Sequence, residues 1–243
     1  MAMASDAPAL RVLMTRSADP QLEKIARRLG LALEARPFTE FIPERQAVVR
    51  ERIQASSGDA WILTSARAVS VIQQLYPSAF DQAPAHIFCV GARTAAALPP
   101  LPAATRVHRA SGGGRELVPL IQDHAPHPDA ILTFLGAAEP RPEMLAQLRA
   151  LGYRLQHIPV YRTREHPGAP TDYSFYTAIL FGSPKAAAAF MAGPHPGAQH
   201  WVAIGPTTAS SLRAHGKTPW IPPGPPSWEE MIKFVSNHLV AKT

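Results

Sequence analysis

Short apolar runs alternate with stretches of helical period along most of this chain, and that alternation predicts its elements. A first strand covers 11–14, and Asp19-Pro20 then opens a helix to about residue 29, where Gly30 supplies the stop. Residues 31–42 read as extended, broken at Pro37 and bounded by Pro43. The pattern then gives helix 44–54, strand 60–64, helix 66–76, strand 86–90, helix 92–98 and strand 105–108. Helix 114–124, strand 130–135 and helix 141–151 follow, and Gly152 ends the run. A second extended stretch covers 153–163. The rhythm resumes with strand 177–181, helix 184–191, strand 200–204, helix 206–215, strand 218–221 and helix 228–239. Ser227 and Glu230 form a capping box at the start of that last helix. Strands that alternate with helices imply parallel sheets covered on both faces.

One arrangement occurs twice. Ile62-Leu63-Thr64-Ser65-Ala66 and Leu180-Phe181-Gly182-Ser183-Pro184 each run an apolar strand into a serine that opens an Ala-rich helix. About two dozen residues later, Val90-Gly91-Ala92-Arg93-Thr94-Ala95 and Ile204-Gly205-Pro206-Thr207-Thr208-Ala209 each carry a strand through glycine into a Thr-Ala helix. Two such halves facing each other are expected to form a cleft rimmed by helix N-termini. Unpaired N–H groups and the helix dipole there favour an anionic ligand. The last segment holds three strands at most, and the N-terminal strand and helix supply the fourth. The predicted organisation is one α/β domain from 1–35 and 166–243 and an inserted domain from 42–156. Residues 36–41 and 157–165 are the linker strands between them.

Composition narrows the function. The 243 residues are 46% hydrophobic and 17% charged, with no apolar run of the ~18 residues that a membrane span needs. Residues 1–7 lack the basic and apolar regions of a signal peptide, and a single cysteine fits a reducing compartment, so the cytoplasm is expected. The formal charge of +6 is scattered and forms no basic stripe, which disfavours nucleic acid and suits an acidic small molecule. The 26 prolines fall mostly in loops and predict rigid connections.

Six segments in order resemble the uroporphyrinogen-III synthase family: Val12-Leu13-Met14-Thr15-Arg16, Leu63-Thr64-Ser65-Ala66-Arg67-Ala68-Val69, Val90-Gly91-Ala92-Arg93-Thr94-Ala95, Pro159-Val160-Tyr161-Arg162-Thr163, Phe181-Gly182-Ser183-Pro184 and Ala203-Ile204-Gly205-Pro206-Thr207-Thr208-Ala209. Each is weak alone, and the series is strong. The resemblance implies two similar parallel-sheet domains, flavodoxin- or Rossmann-like, joined by a two-stranded β-ladder hinge. It also implies a cofactor-free, monomeric enzyme of heme biosynthesis. Its substrate would be hydroxymethylbilane, a linear tetrapyrrole with eight carboxylates, received by transient contact from hydroxymethylbilane synthase. The family expels the terminal hydroxyl, inverts the last pyrrole ring and closes the macrocycle to uroporphyrinogen III.

The resemblance assigns the general-acid role to Tyr161, a phenol that is protonated at neutral pH. A hinge aromatic that only packs is the plainer reading. Substrate contacts carry over to Arg16, Thr64, Ser65, Gly91, Thr94, Gly136, Ser183, Thr207 and Thr208. Taken singly, the serines and threonines are equally ordinary helix caps, and Arg16 an ordinary surface ion pair. Leu135-Gly136-Ala137-Ala138 departs from the family's Arg-Gly at that strand end, and Arg141 one turn on is the nearest substitute. That departure keeps open a second reading, a non-catalytic tetrapyrrole-binding or sensing member of the same family. A nucleotide-binding protein is disfavoured because no Gly-x-Gly-x-x-Gly follows the first strand. Gly112-Gly113-Gly114 lacks a P-loop ending, His124 and His127 flank Pro126 without metal-ligand spacing, and Cys89 sits inside an apolar strand.

Overall fold

A computed structural model describes residues 10–111, 113–125, 127, 129–166, 172–193 and 200–239. Residues 1–7 of the N-terminal reading, Gly112 of the glycine run and Pro126 lie outside the described residues. In chain order the elements are β1 (Leu10–Met14), α1 (Pro20–Arg28), β2 (Leu31–Ala35), β3 (Thr39–Pro43), α2 (Gln46–Gln54), β4 (Ala60–Leu63) and α3 (Ala66–Leu75). Next come β5 (His86–Val90), α4 (Gly91–Ala96), β6 (Arg106–Ala110), α5 (Leu117–His124), β7 (Ile131–Ala137), α6 (Pro142–Ala150) and β8 (Arg154–Glu165). The chain ends with β9 (Ala178–Phe181), α7 (Pro184–Met191), β10 (His200–Ala203), α8 (Pro206–Ala214) and α9 (Trp228–Leu239).

The chain divides into two compact units, one from Met1–Glu40 with Arg164–Thr243 and the other from Phe41–Thr163. The first unit has a four-stranded sheet in the order β10-β9-β1-β2, with parallel pairing throughout. The second has a six-stranded sheet, β3-β8-β7-β4-β5-β6, in which β4 to β8 pair in parallel. This is the two-sheet α/β fold that the alternating pattern implies. Strands buried on both faces explain the near-continuous apolar runs. In β1, Leu13 packs into one core with α7 and α8, whereas Val12 and Met14 pack into the other with α1 and α9. In β4, Trp61 and Leu63 face α2 and α3, and Ala60 and Ile62 face α5 and α6.

Helix boundaries follow local chemistry. Asp19 caps α1 by accepting from the Gln21 and Leu22 amides at 3.1 and 3.4 Å, and Gly30 turns the chain out at φ +73°. Ser227 caps α9 by accepting from the Glu230 amide at 3.1 Å. The expected strand at 218–221 reduces to a single bridge between Val202 and Trp220. Trp220 makes both bonds open to it, but Pro219 and Pro222 have no N–H to extend a ladder. The long extended stretch near Pro37 is two strands, β2 and β3, with residues 36–38 outside both. The returning stretch is the 12-residue β8.

At the outer side of the second unit, the rings of His86, His108 and His124 stack in series at 5.2 and 4.5 Å. His86 Nδ1 and His108 Nε2 share a hydrogen bond of 3.0 Å, so one of them must accept as a neutral nitrogen. Burial chiefly, aided by Arg106 and the neighbouring imidazoles, holds both His86 and His108 below the ordinary 6.5. The unfolded chain therefore binds protons that the folded chain refuses. Their contribution to stability is complete above pH 6.5 and is lost as pH falls below it. Thermal melts on either side of that value should show this loss, and His108→Phe should make it smaller. Cys89 is fully buried on β5, and burial pushes its thiol up to about 12.

Candidate active site

In an open parallel sheet, ligands bind beyond the carboxyl ends of the strands, where the strand order reverses. Each unit has one such point. In the first unit it lies between β1 and β9, because β2 follows on one side of β1 and β10 on the far side of β9. In the second it lies between β4 and β7, since β5 and β6 extend one way and β8 the other. The serine halves of the duplicated motifs fall at these two places, and the glycine–threonine halves follow the next strand out, β5 in one unit and β10 in the other.

At the first switch point Thr15 ties the strand ends together, its amide and hydroxyl donating to the Leu180 carbonyl at 3.0 and 2.8 Å. Arg16 follows, 3.5 Å from Asp19 and with its guanidinium 5.6 Å from the Trp228 ring centroid. Both members of that ion pair are about a third exposed, so a ligand carboxylate can replace Asp19 at little cost. Ser183 caps α7, its hydroxyl accepting from the Ala186 amide at 3.1 Å. Ser183→Ala should cost about 1 kcal/mol and lower the melting temperature by a few degrees. Thr207 and Thr208 are not caps: Gly205 occupies that position without a side-chain bond, and Pro206 begins α8. Thr207 is exposed and Thr208 is buried.

At the second switch point Thr64 and Ser65 leave β4, and Ser65 caps α3 by accepting from the Arg67 amide at 3.1 Å. Gly136 ends the buried part of β7, where the ring of Phe134 occupies the space a Cβ would need. The register with β8 slips beside it, from Gly136–Pro159 to Ala137–Tyr161. Val160 is the extra residue, and such bulges re-aim the side chain that follows. Val160 and Tyr161 are consequently both buried. The Ala138 amide donates to the Tyr161 carbonyl at 2.8 Å and fixes the backbone there. Gly91, at φ +76°, begins the short α4 beyond β5, in a conformation that favours glycine. Thr94 is the fourth residue of that helix and is buried, so it is no cap.

The structure thus brings Thr64, Ser65, Gly136 and Tyr161 onto three adjacent strands, β4, β7 and β8, in one unit, and Arg16 and Ser183 onto the adjacent β1 and β9 ends in the other. Gly91 and Thr94 lie one strand away from the first group, and Thr207 and Thr208 one strand away from the second. A chain of contacts that runs from Tyr161 through Phe41 to Arg67 has no signal in the linear sequence. Phe41, nearly half exposed, meets the Tyr161 ring edge-on at 6.0 Å and 68°. The Arg67 guanidinium lies 3.2 Å from the centre of the Phe41 ring. Leu135, which departs from the family's arginine, is wholly buried in the core with Ile158 and Val160. Arg141 is exposed at the N-cap of α6. Among the described residues no group of three or more His, Cys, Asp or Glu could hold a metal ion, and no helix is long and apolar enough to cross a membrane.

Two parallel α/β units, each with a serine-capped helix leaving its switch point, form the class of fold in which small ligands are bound at the carboxyl ends of strands. The chain belongs to the HemD uroporphyrinogen-III synthase family, whose model matches residues 20–237. Its fold is similar to that of uroporphyrinogen-III synthetase from Helicobacter pylori, at 19% identity and a TM-score of 0.66, over 94% of this chain and 99% of the other. A mutant uroporphyrinogen III synthase from the extremely thermophilic bacterium Thermus thermophilus is similar at 17% identity and a TM-score of 0.64, over 96% of this chain and 100% of the other. No curated protein matches by sequence search.

Proposed function

We infer that this chain dehydrates and cyclises hydroxymethylbilane to uroporphyrinogen III, with inversion of ring D. The observation that carries the reading is the bulge in β8 where its pairing with β7 ends, with Tyr161 beside the strand ends that bear Thr64, Ser65 and Gly136. Tyr161 donates the proton that lets the terminal hydroxyl leave as water, and the electron-rich pyrrole supplies the electrons for the azafulvene cation. Helix-start amides at Ser65 and Ser183, with Arg16, Thr64, Gly91, Thr94, Gly136, Thr207 and Thr208, hold the acetate and propionate arms. Charge-assisted hydrogen bonds contribute about 1.5–3 kcal/mol each, so a few of them fix the bilane firmly. Holding its ends together supplies the rest of the rate, by orientation. The reaction needs no organic cofactor or metal in this scheme. The enzyme works as a cytoplasmic monomer and receives its substrate from hydroxymethylbilane synthase by transient contact.

The test is a coupled assay in which hydroxymethylbilane is generated in situ, the product is oxidised and the porphyrin isomers are separated. Unaided, the bilane closes to the type I isomer. Predominant type III product is expected. Type I at the uncatalysed rate would overturn the reading and favour a binding or sensing role.

A further inference from the structure

The second unit has a hollow of about 560 Å³ beside the middle of β8, within the size range of small-ligand sites. Three arginines line it, Arg45, Arg52 and Arg162, against two glutamates, Glu44 and Glu139. Ala138, whose amide donates to the Tyr161 carbonyl at 2.8 Å, lines the hollow with Arg162, the next residue of β8, so the hollow adjoins the candidate active site. The Arg162 guanidinium grips Glu44 at 2.8 and 3.0 Å, which neutralises both groups and leaves Arg45 and Arg52 against the single carboxylate of Glu139, a net positive lining.

Arg45, Val48 and Arg52 recur at i, i+3 and i+7 and so share one stripe of α2, while Val49 and Ile53 of the same helix are buried in the core. Among the described residues, neither Arg45 nor Arg52 has a carboxylate at ion-pair distance. The start of α2 adds to their charge. Arg45 occupies the N-cap without a side-chain bond, so the amides of the first turn are left for water or a ligand. A concave site with two unpaired guanidinium groups and a bare helix start matches a planar anion that accepts several hydrogen bonds at once.

We propose that this hollow is a subsite for one carboxylate arm of the tetrapyrrole, bound by Arg45 and Arg52. The proposal rests on the octacarboxylate substrate inferred above. Arg162 and Glu44 form its fixed wall, and the site anchors the ligand next to Tyr161 without touching the reacting carbon.

The experiment measures uroporphyrin III binding by fluorescence quenching, which needs no turnover, for the wild type, the Arg45→Gln/Arg52→Gln double variant and Arg50→Gln. Arg50 is on the same helix and lies over Tyr76 instead of lining the hollow, so it controls for bulk charge. The double variant should bind about tenfold more weakly, the product of two partly exposed charge-assisted contacts. Its KM for the bilane should rise while kcat stays within about twofold, as expected for a contact that is the same in ground and transition states. Arg50→Gln should bind as the wild type does. Equal affinity in the double variant and the wild type would overturn the subsite, as would an equal loss in Arg50→Gln. Competition by inorganic phosphate as strong as that by a tetracarboxylate at equal charge would also overturn it, since the site would then be a general anion trap. The enzymatic reading is judged separately by the type III isomer: a wild type that makes none but binds the porphyrin more tightly than the double variant keeps the subsite and loses the reaction.

Discussion

Tyr161→Phe should lower kcat for type III formation about a hundredfold and leave KM within about twofold, because general acid catalysis contributes roughly 10²–10⁴ and the lower end applies to a leaving group pushed by an electron-rich ring. The substitution removes one oxygen and little else. The ring is mostly buried, its edge meets Phe41, and the bond from Ala138 goes to the backbone carbonyl, so none of these contacts changes. Stability should therefore change by less than about 1 kcal/mol, because the ring that packs in the core is kept whole. Steady-state kinetics with isomer separation, paired with uroporphyrin III titration, checks both halves of the expectation. An unchanged kcat would show that Tyr161 only packs or orients the bilane. A large loss of affinity with an intact kcat would place it among the binding groups instead.

The parallel sheets were legible in the sequence because strands buried on both faces leave apolar runs with few interruptions, as in β4 and β9. Ser65 and Ser183 were legible too, since a serine between an apolar strand and an Ala-rich helix has one common structural use. The threonines misled for the same reason. Thr94, Thr207 and Thr208 stand near helix starts in sequence, but α4 and α8 begin one or more residues earlier, at Gly91 and Pro206, and take no side-chain cap. Proline decided the 218–221 segment, whose apolar pattern suits a strand and whose missing N–H groups prevent one. What sequence could not reveal was any contact set by register across strands. The slip at Gly136 places Tyr161, and the closeness of Phe41, Arg67 and Tyr161 joins three segments far apart in the chain. The stacked histidines arise in the same way, from the pairing of His86 with Arg106 along β5 and β6.

Gly182→Ala should be the most damaging small substitution in the first unit. Gly182 lies between β9 and the cap Ser183, and a Cβ there would overlap Trp228 Cζ2 and stand 2.8 Å from Cη2. The φ at this position is not the obstacle; the indole is. Trp228 is the first residue of α9, whose Met231, Ile232 and Val235 are wholly buried against Val12, Met14 and Val202. The indole cannot yield without moving that helix start or distorting the turn into α7. Overpacking of this kind costs about 1–3 kcal/mol, which corresponds to several degrees in melting temperature. Function should suffer as well, since Arg16 lies beside the same indole and Ser183 is the next residue. Gly205→Ala is the control: nothing lies within 4 Å of its Cβ position and its backbone is extended, so only the roughly 0.5–1 kcal/mol that separates glycine from alanine at an N-cap should be lost. Adding Trp228→Phe to Gly182→Ala should recover part of the loss, because the smaller ring clears the new methyl group. A double-mutant cycle would read this as a favourable coupling of at least about 0.5 kcal/mol. Strict additivity would mean that the strain lies in the backbone of the turn and not in the glycine–indole contact.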